Sequence, residues 1–133
     1  MNPPFFPSLF AISLGAVLGA SARWLLGLWL NPLTSALPCG TLAANWLGAI
    51  LIGLAAGAAD LFPALPPYWK LWFVTGLLGS LTTFSGFSLE IVGMLQAQRF
   101  LQAALAAMLH VFGSLLLTAA GLQLMRFCCK QVS

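Results

Sequence analysis

The sequence predicts an all-α integral membrane protein of four transmembrane helices, the third of them broken, and three observations carry that prediction. Hydrophobic residues fill 61% of the 133 positions and charged residues only 5%, with a mean hydropathy of +1.00. So few charges could not cover the surface of a soluble domain. Apolar stretches of the roughly 20 residues that a bilayer span requires recur four times and use nearly the whole chain, so one compact unit is expected. Inside the third stretch, the window Gly79-Ser-Leu-Thr-Thr-Phe-Ser-Gly-Phe-Ser-Leu-Glu90 breaks the apolar pattern with six glycine or hydroxyl residues before Ser88. Irregular backbone at membrane depth is tolerated only where it is buried in protein or lines a water-filled cavity, and transporters place ion sites at such breaks.

The first span is predicted over 6–30. Gly15, Gly19 and Arg23 recur on one face at intervals of four, and small residues so spaced let a second helix approach closely. Arg23 is costly in a span unless it pairs, meets water or snorkels. It reads either as an interfacial arginine stretching outward beside Trp24 and Trp29, or as a structural or pore-vestibule group. The next ten residues, with Pro32 and Pro38, are turn chemistry leading to a helix start at Gly40 and Thr41. The second span, 40–59, carries Ala49, Gly53 and Gly57 as another small-residue face. Asn45 within it is either interhelical glue or an amide whose NH2 donates to an anion.

A connection with Pro63, Pro66 and Pro67 follows, with Tyr68, Trp69 and Lys70 as interfacial anchors. The third span, 69–96, is expected to break at 79–83, and Arg99 marks the next boundary. In the fourth span, 100–127, His110, Ser114 and Thr118 recur every four residues as one polar line on an apolar helix. Such a line is either packing glue or a track for something polar.

At the break, Gly79 to Thr83 can turn carbonyls out of the helical ladder, and buried carbonyl oxygens suit a hard cation such as Na+. Phe84 and Phe87 lie one turn apart beside Ser85 and Ser88. Aromatic rings have a positive edge, so two edge-on rings could hold an anion lightly enough for it to leave again. Ordinary packing for the rings and back-bonding for the hydroxyls are the plain alternatives.

These motifs resemble the Fluc (CrcB) family of fluoride channels, whose members carry Thr-Thr-Phe-Ser-Thr-Phe at the break. The resemblance extends to Gly15-Ala-Val-Leu-Gly-Ala-Ser-Ala-Arg-Trp24, to Gly40-Thr-Leu-Ala-Ala-Asn-Trp-Leu-Gly48 and to the His110 line, and so to essentially the whole chain. It implies an antiparallel, dual-topology homodimer in the lipid bilayer of the bacterial inner membrane, with two fluoride pores and a central structural Na+. Carried over by residue, the pore would use Asn45, Phe84, Ser85, Phe87, Ser88, His110, Ser114 and Thr118. The backbone carbonyls of Gly79 and Thr82 would bind the Na+. Arg23 would match the arginine of the first helix, and Glu90 a glutamate near the pore mouth. Gly86 stands where many relatives have Thr, which removes one hydroxyl. With both termini on one side, Lys70, Arg126 and Lys130 oppose Arg23 and Arg99, a weak positive-inside bias that leaves both orientations open.

Other classes fit less well. A small proton-coupled drug exporter needs an intramembrane carboxylate, for which Glu90 is the one candidate because Asp60 lies at a helix end. An enzyme would need a carboxylate pair or metal-ligand cluster that the sequence lacks. Without a cluster of Lys and Arg, no nucleic-acid partner is expected. The N-terminus has no basic residue ahead of its apolar run and reads as part of the mature chain. Cys39, Cys128 and Cys129 have no metal-ligand spacing and receive no function.

Overall fold

The computed structural model describes residues 4–34, 36–62 and 66–130, with only the backbone of Cys129 and Lys130. Pro63 of the expected connection, the first three residues of the N-terminal segment, and the side chains of Cys129 and Lys130 lie outside that description. Among the described residues, four apolar helical segments are long enough to cross a bilayer: Phe5–Leu33, Cys39–Leu61, Pro67–Gln96 and Phe100–Cys128. Large apolar side chains point outward along them, including Phe10, Trp24, Leu101 and Leu116, each more than half exposed. An outward apolar surface of this extent belongs in lipid, and the chain is a multi-pass membrane protein.

Helix α1 (Phe5–Leu30) is joined to α2 (Cys39–Leu61) through a 3-10 turn at Asn31–Leu33. Asn31 Oδ1 accepts the Gly40 N–H at 2.8 Å, satisfying a donor of the first turn of α2 that has no helical partner. Gly40 must be glycine-sized here, because a Cβ would lie 2.5 Å from Gly27 Cα. Helix α3 spans 67–81, opens with Pro67 at its first turn and is wound as a π-helix over Lys70–Leu78. Helix α4 (Phe84–Gln96) completes the third span. Helix α5 spans 100–130 and carries a π-helical turn at Leu109–Gly113.

The link from α4 to α5 is a helix terminus closed by two reversed bonds. The Arg99 N–H donates to Met94 O at 2.8 Å and the Gln98 N–H to Leu95 O at 3.0 Å. Gln98 takes the left-handed conformation that this motif requires, with φ 57°.

Small residues decide which helices meet. The Gly15 and Gly19 face of α1 presses on the backbone of α3 from Trp72 to Leu81, and Gly53 and Gly57 of α2 press on α5 near Thr118, Leu122 and Met125. Two small cores result. Ala44, Leu78 and Leu81 form one where α2 meets the end of α3, and Met94, Ala103 and Ala106 form the other between α4 and α5. Helix α4 packs mainly on the start of α5 and only lightly on α2. An open space is left beside the end of α3.

Candidate functional site

The third span loses helical geometry at Thr82 (ψ 152°) and Thr83 (φ −150°, ψ 119°), both extended, between Leu81 and Phe84. This interval is narrower than the expected 79–83. Gly79–Leu81 stay helical where Ser80 ties them in: its hydroxyl shares its one hydrogen between Gly76 O within the helix, at 2.7 Å, and Ala16 O of α1 across from it, at 3.0 Å.

Two extended residues at membrane depth leave several backbone groups to be satisfied. The Thr83 N–H donates to Asn45 Oδ1 at 2.8 Å, and Asn45 Nδ2 donates back to Thr83 O at 3.1 Å. Thr83 also caps α4, its Oγ1 accepting the Gly86 N–H at 2.9 Å. Arg23 Nε donates to Ser80 O at 3.0 Å, so this arginine braces α1 against the last turn of α3 instead of stretching to the interface. The amides of Thr83 and Gly86 are thus committed elsewhere, and they are the ones that would have closed helical bonds onto Gly79 O and Thr82 O. Those two carbonyls are left without a helical donor.

Around this junction lies an open cavity of roughly 500 Å³ between α2, α3, α4 and α5. Gly79, Thr82, Asn45, Phe84, Phe87, His110 and Ser114 all line it, and among the described residues none of its lining side chains is charged. Phe84 and Phe87 have ring centroids 5.5 Å apart, and Phe87 lies 4.6 Å from the His110 ring. Phe84 is 79% exposed on the open side, whereas His110 is buried at 6%. Asn45 Nδ2 is also 3.1 Å from His110 Nδ1.

The remaining predicted residues lie elsewhere. Thr118 Oγ1 donates to Ala49 O at 3.1 Å and Ser88 Oγ to Phe84 O at 2.8 Å, so the first is interhelical glue and the second a back-bond within α4. Ser85 is exposed and sits 3.2 Å from Thr83 Oγ1. Glu90 borders a second cavity of roughly 440 Å³ together with Asn31, Thr34 and Arg99. It accepts a hydrogen bond from Thr41, and its other oxygen is buried without a partner among the described residues. Arg99 donates to Ala36 O at 3.0 Å on the same side.

Three participants were not in the sequence-derived site. Thr83 is the residue that both clamps and caps the break. Thr41 lies one turn before Asn45 on the same face of α2, a spacing that could have suggested it. Trp46 Nε1 donates to Leu109 O at 2.9 Å and its ring packs on Gly113, so it holds the π-turn that carries His110. Gly86 fits tightly: a Cβ there would lie 3.0 Å from Thr83 Cγ2 and 3.2 Å from its Oγ1.

Residues 10–122 match the family described as CrcB-like protein, Camphor Resistance (CrcB). The chain is 57% identical over 115 residues, 86% of its length, to a protein of Chromohalobacter salexigens named fluoride-specific ion channel FluC, covering 87% of that relative. A relative of the same name from Albidiferax ferrireducens is 55% identical over 120 residues, 90% of this chain and 92% of its own. Another, from Haemophilus influenzae strain PittGG, is 43% identical over 126 residues, 95% and 98% of the two chains.

Proposed function

The chain belongs to the CrcB family, and from that premise we propose that it is a fluoride-specific ion channel. It lets the anion leave the cell passively and so lowers fluoride toxicity. The observation that carries this reading is 57% identity to a named fluoride channel across 86% of the chain. The uncharged cavity at the broken span supplies its physical content.

Fluoride is small and strongly hydrated, so a narrow path must replace water with close donors. His110, Ser114 and the edges of Phe84 and Phe87 are the groups available in the cavity, which Asn45 also lines while its amide is spent on Thr83 and His110. An enzyme's chemical step has no part in this: the family is one of ion channels, and the relatives are named as channels rather than exporters.

The cavity is open on one side, with Phe84 exposed toward it. We assign that side to a second, antiparallel copy, so that both subunits line each pore. An isologous contact would put the same segment of both chains on the axis. Gly79 O and Thr82 O of the two copies would then offer four main-chain oxygens to one Na+. Two carbonyls without helical donors are the chemistry such a cation takes, and the bound ion would supply positive charge to hold the two breaks together.

Protein reconstituted in liposomes under a potassium gradient with valinomycin is expected to release fluoride and retain chloride. No fluoride release, or equal release of both anions, would overturn the assignment.

A further inference from the structure

The Asn45 amide can face only one way. Its Oδ1 takes the Thr83 N–H and its Nδ2 serves the Thr83 carbonyl. Turning it over would set oxygen against oxygen and N–H against N–H, so the backbone of the break fixes its orientation. The second hydrogen of Nδ2 is then directed to His110 Nδ1, 3.1 Å away. An amide nitrogen has no lone pair to offer, so Nδ1 must accept. A ring whose Nδ1 accepts is neutral and carries its proton on Nε2.

The π-turn at Leu109–Gly113 presents His110 to Asn45, and Trp46 holds that turn through Leu109 O. Phe87 covers the ring at 4.6 Å. The charged side chain nearest along α4, Glu90, bonds to Thr41 instead. Among the described residues, nothing charged in the cavity lining competes for the imidazole.

We infer that Asn45 and Thr83 set the tautomer of His110, so that this residue presents its single donor, Nε2–H, to the anion. The inference rests on the fluoride-channel reading for the identity of the anion but not for the tautomer. Asn45 is a positioning residue in this arrangement, acting through His110 as well as through the backbone of the break. His110 contributes specificity by offering a hydrogen-bond donor without a charge.

His110 is the only histidine in the chain, so its ring nitrogens can be read directly in histidine-labelled protein by nitrogen NMR in lipid vesicles near neutral pH. The expected spectrum has a protonated Nε2 and an accepting Nδ1, and the Nδ1 signal moves in Asn45→Leu. A ring protonated at Nδ1, or an Nδ1 signal unmoved by Asn45→Leu, would overturn the inference.

Fluoride efflux gives the second arm. In His110→Gln the side-chain nitrogen reaches about as far as Nε2, and this variant is expected to conduct at least about tenfold faster than His110→Leu, the size of one hydrogen bond. Equal efflux from the two variants would count against a donor role. Should the parent itself fail to conduct, the channel reading falls while the spectrum still decides the tautomer.

Discussion

Replacing Asn45 with leucine keeps the side-chain shape and removes all three of its hydrogen bonds. The Thr83 N–H and C=O lose their partners at 2.8 and 3.1 Å, and His110 Nδ1 loses its donor. A buried polar group left unsatisfied costs about 1–3 kcal/mol, so the two backbone groups alone set a range of roughly 2–6 kcal/mol. The cavity beside them is open, and water entering it can replace part of what is lost, which places the expected cost near 2 kcal/mol. That corresponds to an approximately thirtyfold faster exchange of the Thr83 amide hydrogen, if exchange occurs by local opening. The assay is hydrogen–deuterium exchange of lipid-embedded protein, resolved at Thr83 and compared with helical amides of α2. Fluoride efflux should fall in the same variant. A folded Asn45→Leu protein whose Thr83 amide exchanges within about threefold of the parent would refute the clamp.

Four further outcomes follow from the same geometry. Phe84→Ile and Phe87→Ile keep apolar bulk but lose the ring edge, and each should cut fluoride efflux sharply with an unchanged size-exclusion profile; flux at the parental rate would reduce the rings to packing. In Gly76→Val the Cβ would lie 2.5 Å from Ile12 O and 3.0 Å from Gly15 Cα, both backbone atoms, so α1 must move and stability in detergent should drop by about 1–3 kcal/mol. Thr82→Ala loses the bond from Thr82 Oγ1 to Leu78 O at 2.9 Å, worth about 1 kcal/mol, but leaves the main-chain oxygens of the proposed Na+ site, so stability is expected to rise with Na+ as much in the variant as in the parent. A cysteine-free chain with one new Cys at its C-terminal tail should be labelled from both sides of the membrane, and labelling from one side alone would remove the antiparallel dimer.

The four spans were legible because composition and length leave a membrane chain of this size no other arrangement. The faces of close approach were legible too, because small residues at intervals of four mark them, but not which helix each face meets. Spacing could not say what each polar residue bonds. His110, Ser114 and Thr118 make one line in sequence, yet Thr118 turns to Ala49 O while the other two line the cavity. A π-turn adds a wide step between His110 and Ser114, and no residue pattern announced it. The break was placed too broadly because glycine and hydroxyl content signals only that a helix can end. Ser80, bonded across to Ala16 O, keeps its own turn helical. Arg23 depended on the same fact: without knowing that Ser80 O had lost its helical donor, the interface was the natural place for its charge.

Where Arg23 goes bears on how the cavity can conduct. A guanidinium about 4 Å from a fluoride would attract it by roughly 4 kcal/mol at an effective dielectric of 20, and a well that deep slows escape about a thousandfold. A neutral donor to a charged partner contributes only about 1.5–3 kcal/mol, and part of that replaces water. Several neutral donors in sequence therefore make shallow steps where one arginine would make a trap. Arg23 is instead held on Ser80 O and does not line the cavity. The lining is left to amide, imidazole, hydroxyl and ring edge. Because none of these groups carries a full charge, their attraction depends on short distance and fixed direction, and the Asn45 amide, itself spent on Thr83 and His110, fixes the direction of the imidazole.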